Sequence, residues 1–79
     1  MMYIPMAQRT IEEFTMSTYQ ERVIEEKREL DEKHQKLLEF FNTDIFRGLA
    51  QAEKDRLRTQ HSVMGVYSEI LHQRISAFS

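Results

Sequence analysis

The sequence has no cysteine among its 79 residues, and it has only two glycines and one proline. Without cysteine the chain has no disulfide, no thiolate metal site and no cysteine nucleophile. Two glycines are too few for a glycine-rich loop that cradles phosphate groups. The net charge of -2 also argues against a general binder of nucleic-acid backbones, which normally carries a basic excess.

Long apolar runs are missing as well. No stretch approaches the ~18–20 apolar residues that a membrane-spanning helix needs. Residues 1–6 are mostly apolar, but they lack the charged start and the long apolar region of a secretory signal. We therefore expect no membrane association and a cytoplasmic location.

Two long helices account for most of the chain. Residues 17–41 contain neither glycine nor proline and consist mainly of strong helix formers. Ser17 with Gln20, or Thr18 with Glu21, forms a capping box at the start of this first helix. A second helix is predicted over residues 50–78, where Gly65 interrupts an otherwise strong helical pattern.

The connection between the helices is predicted over residues 42–49. It opens with Asn42, Thr43 and Asp44, all of which favour caps and turns. A helical turn is expected after them, with Ile45, Phe46 and Leu49 closing the end of the hairpin. Residues 1–16 remain as an N-terminal extension to a single domain, residues 17–79.

Apolar residues recur every seven positions in both helices, the period of left-handed helix packing. They are Met16, Val23, Leu30 and Leu37 in the first helix and Ala50, Leu57, Met64, Leu71 and Phe78 in the second. An antiparallel hairpin centred on Arg47 aligns four apolar layers at once: Met16–Phe78, Val23–Leu71, Leu30–Met64 and Leu37–Leu57. The predicted fold class is therefore all-α, an antiparallel helical hairpin.

Two helices cannot enclose a core, so the hairpin is expected to assemble into a helical-bundle homo-oligomer, a dimer or larger. Further apolar residues beside the main stripe widen the apolar face: Tyr19, Ile24, Leu38, Phe40, Phe41, Val63, Val66, Ile70 and Ile75. The predicted core of the oligomer consists of Val23, Leu30, Leu37, Leu57, Met64, Leu71 and Phe78.

His34 and His61 fall on facing stripes in this register. A zinc site would need further ligands, and no carboxylate stands at a suitable offset. We therefore predict a polar layer of His34 with Gln60 or His61 that fixes the register, and no bound metal. No nucleophile elbow, phosphate loop or kinase motif is present, so neither enzymatic activity nor a cofactor is expected.

Four polar residues, Lys27, Gln60, Tyr67 and Arg74, lie close to the inward stripes, and the register places Lys27 near Tyr67 and Arg74 near Gln20. A half-buried cation is costly unless it is paired. One interpretation is an internal ion pair, with the charge supplied by Glu21, Glu26 or Glu69. The other is an anion pocket between hairpins, in which Tyr67 stacks on a base and Arg74 clamps a phosphate.

The stretch from Tyr19 to Lys33, YQERVIEEKRELDEK, is followed after the turn by a spaced set of residues: Leu57, Gln60, Met64, Tyr67, Leu71, Arg74, Ile75 and Phe78. Together they resemble a family of small phage and prophage proteins named after an open reading frame of a crAss-like phage. The resemblance covers about residues 17–78. It implies an accessory gene product that acts in the cytoplasm of an infected or lysogenic bacterial host. In that family an aliphatic residue often stands where this chain has His34.

Small helical phage proteins without active sites commonly counter host defence, and the resemblance extends this expectation to the present chain. The leading hypothesis is an oligomeric sponge that sequesters a nucleotide-type immune signal through Tyr67, Arg74, Lys27 and Gln60. The alternative is a small protein-binding inhibitor or adaptor that uses the charged face of the first helix. A nucleic-acid-associated regulator is disfavoured by the acidic balance of the sequence.

Overall fold

The computed structural model describes the backbone of residues 11–78 and the side chains of residues 18–78. Three helices follow one another: α1 over Ile11–Phe40, α2 over Asp44–Arg47 and α3 over Gln51–Ser76. The two long helices pack against each other as a hairpin, and the described residues contain no strand. The all-α hairpin predicted from the sequence is confirmed.

Helix α1 begins earlier than the sequence analysis predicted. It extends from Ile11 without interruption, so neither Ser17 nor Thr18 caps a helix start. The predicted boundary between residues 16 and 17 therefore lies inside a continuous helix. Glu, Lys and Leu are concentrated after this point, but the 30-residue helix does not need a cap where the backbone is already helical.

Thr43 organises the connection between the long helices. Its hydroxyl oxygen accepts a hydrogen bond from the backbone N–H of Phe46 at 3.2 Å, which caps α2. The same hydroxyl donates to the carbonyl oxygen of Phe40 at 2.7 Å and so fixes the turn to the end of α1. The stop and the short helical turn predicted for this segment are both confirmed.

Phe46 closes the end of the hairpin. It is 4% exposed, and its ring centroid lies 4.9 Å from that of Phe41 and 5.9 Å from that of Phe40. The prediction that Ile45 shares this role is wrong, because Ile45 is 70% exposed. Adjacent residues on a helix point about 100° apart, so a single turn cannot direct both side chains inward.

The core of the hairpin is small. Only Val23, Phe46 and Leu71 are buried among the described side chains. The remaining predicted core residues within that range are half-buried: Leu30, Leu37, Leu57, Met64 and Phe78. The predicted layer of Met16 against Phe78 cannot be compared, because the side chain of Met16 lies outside the described residues.

Among the described residues, no helix is long and apolar enough to cross a membrane.

Candidate functional site

The register of the hairpin positions every candidate side chain. Contacts between α1 and α3 join His34 to His61, Lys27 to Ser68 and Tyr19 to Arg74. The predicted meeting of His34 with His61 is confirmed. The other two contacts fall one residue from the predicted pairs, since Ser68 replaces Tyr67 beside Lys27 and Tyr19 replaces Gln20 beside Arg74.

The imidazole rings of His34 and His61 stack in the middle of the hairpin, with centroids 4.1 Å apart and an interplanar angle of 34°. The ring of Phe41 lies 5.4 Å from that of His61. Gly65 lies on the other side of His34, where a Cβ would be 3.5 Å from its Cε1 atom. The two histidines are therefore enclosed mainly by carbon atoms.

The Nε2 atoms of His34 and His61 are both buried, and neither has a hydrogen-bond partner among the described residues. The predicted polar layer therefore exists as a ring stack, and Gln60 does not join it, because its amide nitrogen is directed to the sulfur of Met64 at 3.9 Å. No three His, Asp or Glu side chains of the described part of the chain are grouped to hold a metal ion.

We expect the substitution His34→Leu to stabilise the protein. It removes one buried nitrogen without a partner, and such a group costs about 1–3 kcal/mol. A gain of about 1 kcal/mol would raise the melting temperature by about 4–8 °C. The matched control is His72→Leu, because His72 is an exposed histidine and its replacement removes no buried polar atom. A lower melting temperature for His34→Leu would show that Nε2 has a partner in the assembled protein.

Lys27 belongs to a polar cluster that joins α1 to α3. Its ammonium group donates to Asp31 at 2.6 Å and to the hydroxyl of Ser68 at 3.1 Å, while Ser68 donates to the second oxygen of Asp31. The side chains of these three residues are thus hydrogen-bonded to one another. The expected internal ion pair of Lys27 exists, but its partner is Asp31 and not Glu21, Glu26 or Glu69.

This cluster lowers the pKa of the Asp31 carboxyl group below its ordinary value of 3.8, chiefly through the hydrogen bond from Lys27 and then through that from Ser68. A carboxyl group with a lower pKa in the folded state stabilises the fold fully above its unfolded pKa. That stabilisation is lost as the pH falls through the folded pKa. The Asp31 cluster should therefore contribute to the packing of the two helices at neutral pH, and this contribution should fade in acid.

We expect Asp31→Asn to lower the melting temperature at pH 7, and we expect its difference from wild type to shrink as the pH falls through the lowered pKa of Asp31. The measurement is a series of thermal melts followed by circular dichroism over this pH range. Asp55→Asn is the matched control, since the carboxylate of Asp55 bonds to Gln51 within its own helix. A constant difference between Asp31→Asn and wild type at every pH would contradict the role given to this carboxylate.

Arg74 lies at the open end of the hairpin. Its guanidinium group donates a hydrogen bond of 2.9 Å to the hydroxyl of Tyr19, and its Cζ atom lies 6.0 Å from the centre of the Tyr19 ring. The ring of Phe78 is 6.2 Å from that of Tyr19. No carboxylate of the described residues forms an ion pair with Arg74. Its described polar partner is the neutral side chain of Tyr19.

Tyr67, Gln60 and Arg74 share one side of α3, since they are spaced by seven residues, or two helical turns. All three are exposed. Lys27 does not join them, because it bonds to Ser68, and neighbouring positions on a helix diverge by about 100°. The structure therefore brings three of the four predicted binding residues to one surface and places Lys27 in a separate cluster.

Tyr19 is a candidate that the sequence analysis did not assign to the site. It was grouped with the apolar residues that widen the hairpin's face, yet it is 51% exposed and bonded to Arg74. The sequence contained one signal of this position, because the antiparallel register placed the neighbouring Gln20 opposite Arg74.

Comparison with known proteins places this hairpin in a family. No curated protein matches the chain, and no solved structure matches it. A family model described as Sequestin matches residues 17–77, nearly the range that the sequence analysis predicted for the hairpin domain. The matched range includes both long helices and the residues Tyr19 and Arg74, and the chain therefore belongs to the Sequestin family.

Proposed function

We propose that this protein is a non-enzymatic phage accessory protein that counters host defence as an oligomeric sponge for a nucleotide-type immune signal. The family name, Sequestin, is consistent with a sequestering role. In this proposal the protein acts in the bacterial cytoplasm, and binding alone, without chemical conversion or a cofactor, removes the signal.

The observation that carries the proposal is the state of Arg74. An arginine is always charged, and its planar guanidinium group can hold a phosphate through two parallel hydrogen bonds. Arg74 is exposed and has Tyr19, a neutral residue, as its described partner. By contrast, the other arginines of α3, Arg56 and Arg58, each form an ion pair with a carboxylate of the same helix.

Aromatic side chains complete the surface. Tyr67 is 40% exposed and stands two turns before Arg74, so part of its ring is accessible to a planar base. Gln60 stands two turns before Tyr67 and offers both donors and acceptors to a base edge. A charged clamp, an aromatic surface and an amide in one row suit a nucleotide better than an inorganic anion.

Lys27 has a smaller part in this proposal than the sequence analysis gave it. Its ammonium group already has two hydrogen-bond partners, Asp31 and Ser68, so a phosphate would have to compete with a carboxylate at 2.6 Å. The charge of Lys27 is balanced by the carboxylate of Asp31, and Arg74 makes the direct contact with the phosphate.

The test is titration calorimetry of the purified protein with a panel of cyclic dinucleotides and ADP-ribose derivatives. We expect heat of binding with at least one member and no change in that nucleotide after incubation. The alternative function, a protein-binding inhibitor or adaptor, rests on the exposed charge network of Arg28 with Glu25 and Glu32 on α1. No heat with any nucleotide would overturn the sponge and favour this alternative.

A further inference from the structure

A row of exposed apolar side chains follows one face of α3. Val63, Val66, Tyr67 and Ile70 are 59%, 62%, 40% and 48% exposed. Their spacing of three, four and seven residues places them on a common face of the helix. No charged residue lies within the row, which we call the α3 stripe, and it ends in polar residues, Gln60 on one side and Gln73 on the other.

The hairpin has no element of its own to cover the α3 stripe. Its smallest extent is 16 Å, the thickness of a single layer of helices, and its radius of gyration is 19.1 Å. A compact chain of this length would have a radius of about 12 Å. The described elements of the chain are one hairpin, and the faces of α1 and α3 that pack together are already used.

The hairpin exposes more surface than a compact monomer of its mass. The accessible surface is 6223 Å², against about 5,000 Å² for a compact monomer of this mass. The excess of about 1,200 Å² is spread over the whole elongated hairpin, and the α3 stripe is one part of it. An exposed apolar row of this size on a chain with few buried residues is typical of an interaction surface.

We propose that the α3 stripe is the surface on which a second copy of this chain packs, with the two α3 helices antiparallel about a two-fold axis between residues 66 and 67. In this arrangement Val63 faces Ile70 of the second copy, and Val66 faces Tyr67 of the second copy. A two-fold interface must be complementary to itself, and this row meets that condition because its apolar residues are symmetric about its centre.

Electrostatics favours the antiparallel direction. In a parallel pair, Arg74 would lie beside Arg74 of the second copy, and the like charges would repel each other. In the antiparallel pair, Arg74 lies beside Thr59 of the second copy, and Gln60 lies beside Gln73, so amides meet amides. Antiparallel helices also oppose their dipoles, whereas parallel helices bring ends of like sign together.

This inference rests on the oligomeric part of the proposed function and not on its ligand. It packs Tyr67 of each copy against Val66 of the other, which leaves a base only the outer part of that ring, and it places the two Arg74 guanidinium groups at opposite ends of the seam. The experiments below measure assembly without a nucleotide. A failure of the interface is therefore distinguishable from a failure of nucleotide binding.

The first experiment compares Ile70→Glu with Ile24→Glu by light scattering and sedimentation velocity. The two isoleucines are almost equally exposed, at 48% and 50%, but only Ile70 lies in the α3 stripe. We expect Ile70→Glu to raise the dimer dissociation constant at least tenfold, while Ile24→Glu keeps the pair. Circular dichroism checks that both variants keep their helices. The proposal would be overturned if the Ile70→Glu variant were still a dimer, or if the wild-type protein were a monomer.

The second experiment tests whether the two α3 helices are antiparallel. Because the natural sequence has no cysteine, only the introduced cysteines can cross-link. Under mild oxidation Val66→Cys should cross-link to its own counterpart, because it stands next to the axis. Val63→Cys alone should not, since its counterpart is about 10 Å away along the helix. Adding Ile70→Cys to Val63→Cys should restore the cross-link. Efficient cross-linking of Val63→Cys alone, or none in any variant, would refute the antiparallel register.

Discussion

Leu71→Asp should unfold the protein. Leu71 is fully buried, at 0% exposure, and lies on the stripe of α3 that faces α1. Truncation of a buried leucine to alanine alone costs about 2–5 kcal/mol. An aspartate adds the cost of burying a carboxylate without a partner, and a domain of this length has only about 4–12 kcal/mol of stability in total. The helical circular dichroism signal should therefore be lost at 25 °C.

The matched control for this variant is Ile24→Asp. Ile24 is 50% exposed on α1, so the same charge remains in water and the helices should persist. Leu71→Ala should lie between the two, with a lower melting temperature and a cooperative transition. If Leu71→Asp melted at the wild-type temperature, Leu71 would not be part of the core, and the facing of the two helices would have to be different.

The alignment of the two helices could be predicted because it depends on spacing. Val23 and Leu71 recur in separate seven-residue series, and both are buried in the hairpin. His34 was placed opposite His61 by the same alignment, and their rings are in contact. A repeat of seven residues determines which face of each helix turns inward, whatever the details of packing.

Features that depend on single residues were predicted less well. Ile45 and Phe46 are both large and apolar, and only the geometry of one helical turn decides that Phe46 is buried and Ile45 exposed. The start of α1 at Ile11 was missed because Ser17 and Thr18 resemble caps. A capping pattern inside a long helix has no effect on the backbone when helical residues precede it.

The sequence predicted that three of the candidate binding residues share a surface, but it misplaced the fourth. Arg74, Tyr67 and Gln60 share one surface because their spacing of seven is a property of the sequence. Lys27 was assigned to the same site, but a shift of one residue in the register turned it to Ser68 and Asp31. Helix packing permits a shift of this size, and such a shift changes which residues a polar side chain contacts.

For Arg74, the structure does not support the ion-pair interpretation that the sequence left open. If it held the fold through an ion pair, a carboxylate would lie beside it, and none of the described ion pairs includes it. Its bond to Tyr19 is exposed, and a net contribution of such a hydrogen bond is only about 0.5–1.5 kcal/mol. The structural cost of removing Arg74 should therefore be small.

Arg74→Ala should weaken nucleotide binding by at least thirtyfold, while the melting temperature without ligand falls by only a few degrees. The loss of a charged, desolvated clamp costs about 2–5 kcal/mol of binding free energy, and each 1.4 kcal/mol is a factor of ten in affinity. Arg74→Lys keeps the charge and loses the fork geometry, so its affinity should lie between those of wild type and alanine. The affinities of both variants are measured by titration calorimetry with the nucleotide that binds the wild-type protein.

Arg56→Ala is the matched control, because Arg56 is an exposed arginine on the same helix whose guanidinium group is paired with Glu53 at 2.8 Å. It removes the same charge from α3 and should leave the affinity nearly unchanged, so a specific contact is separated from a general loss of positive potential. Equal weakening by Arg56→Ala and Arg74→Ala would mean that the nucleotide responds only to the field of the helix. Unchanged affinity in Arg74→Ala, with a large fall in melting temperature, would instead make Arg74 a structural residue and remove it from the site.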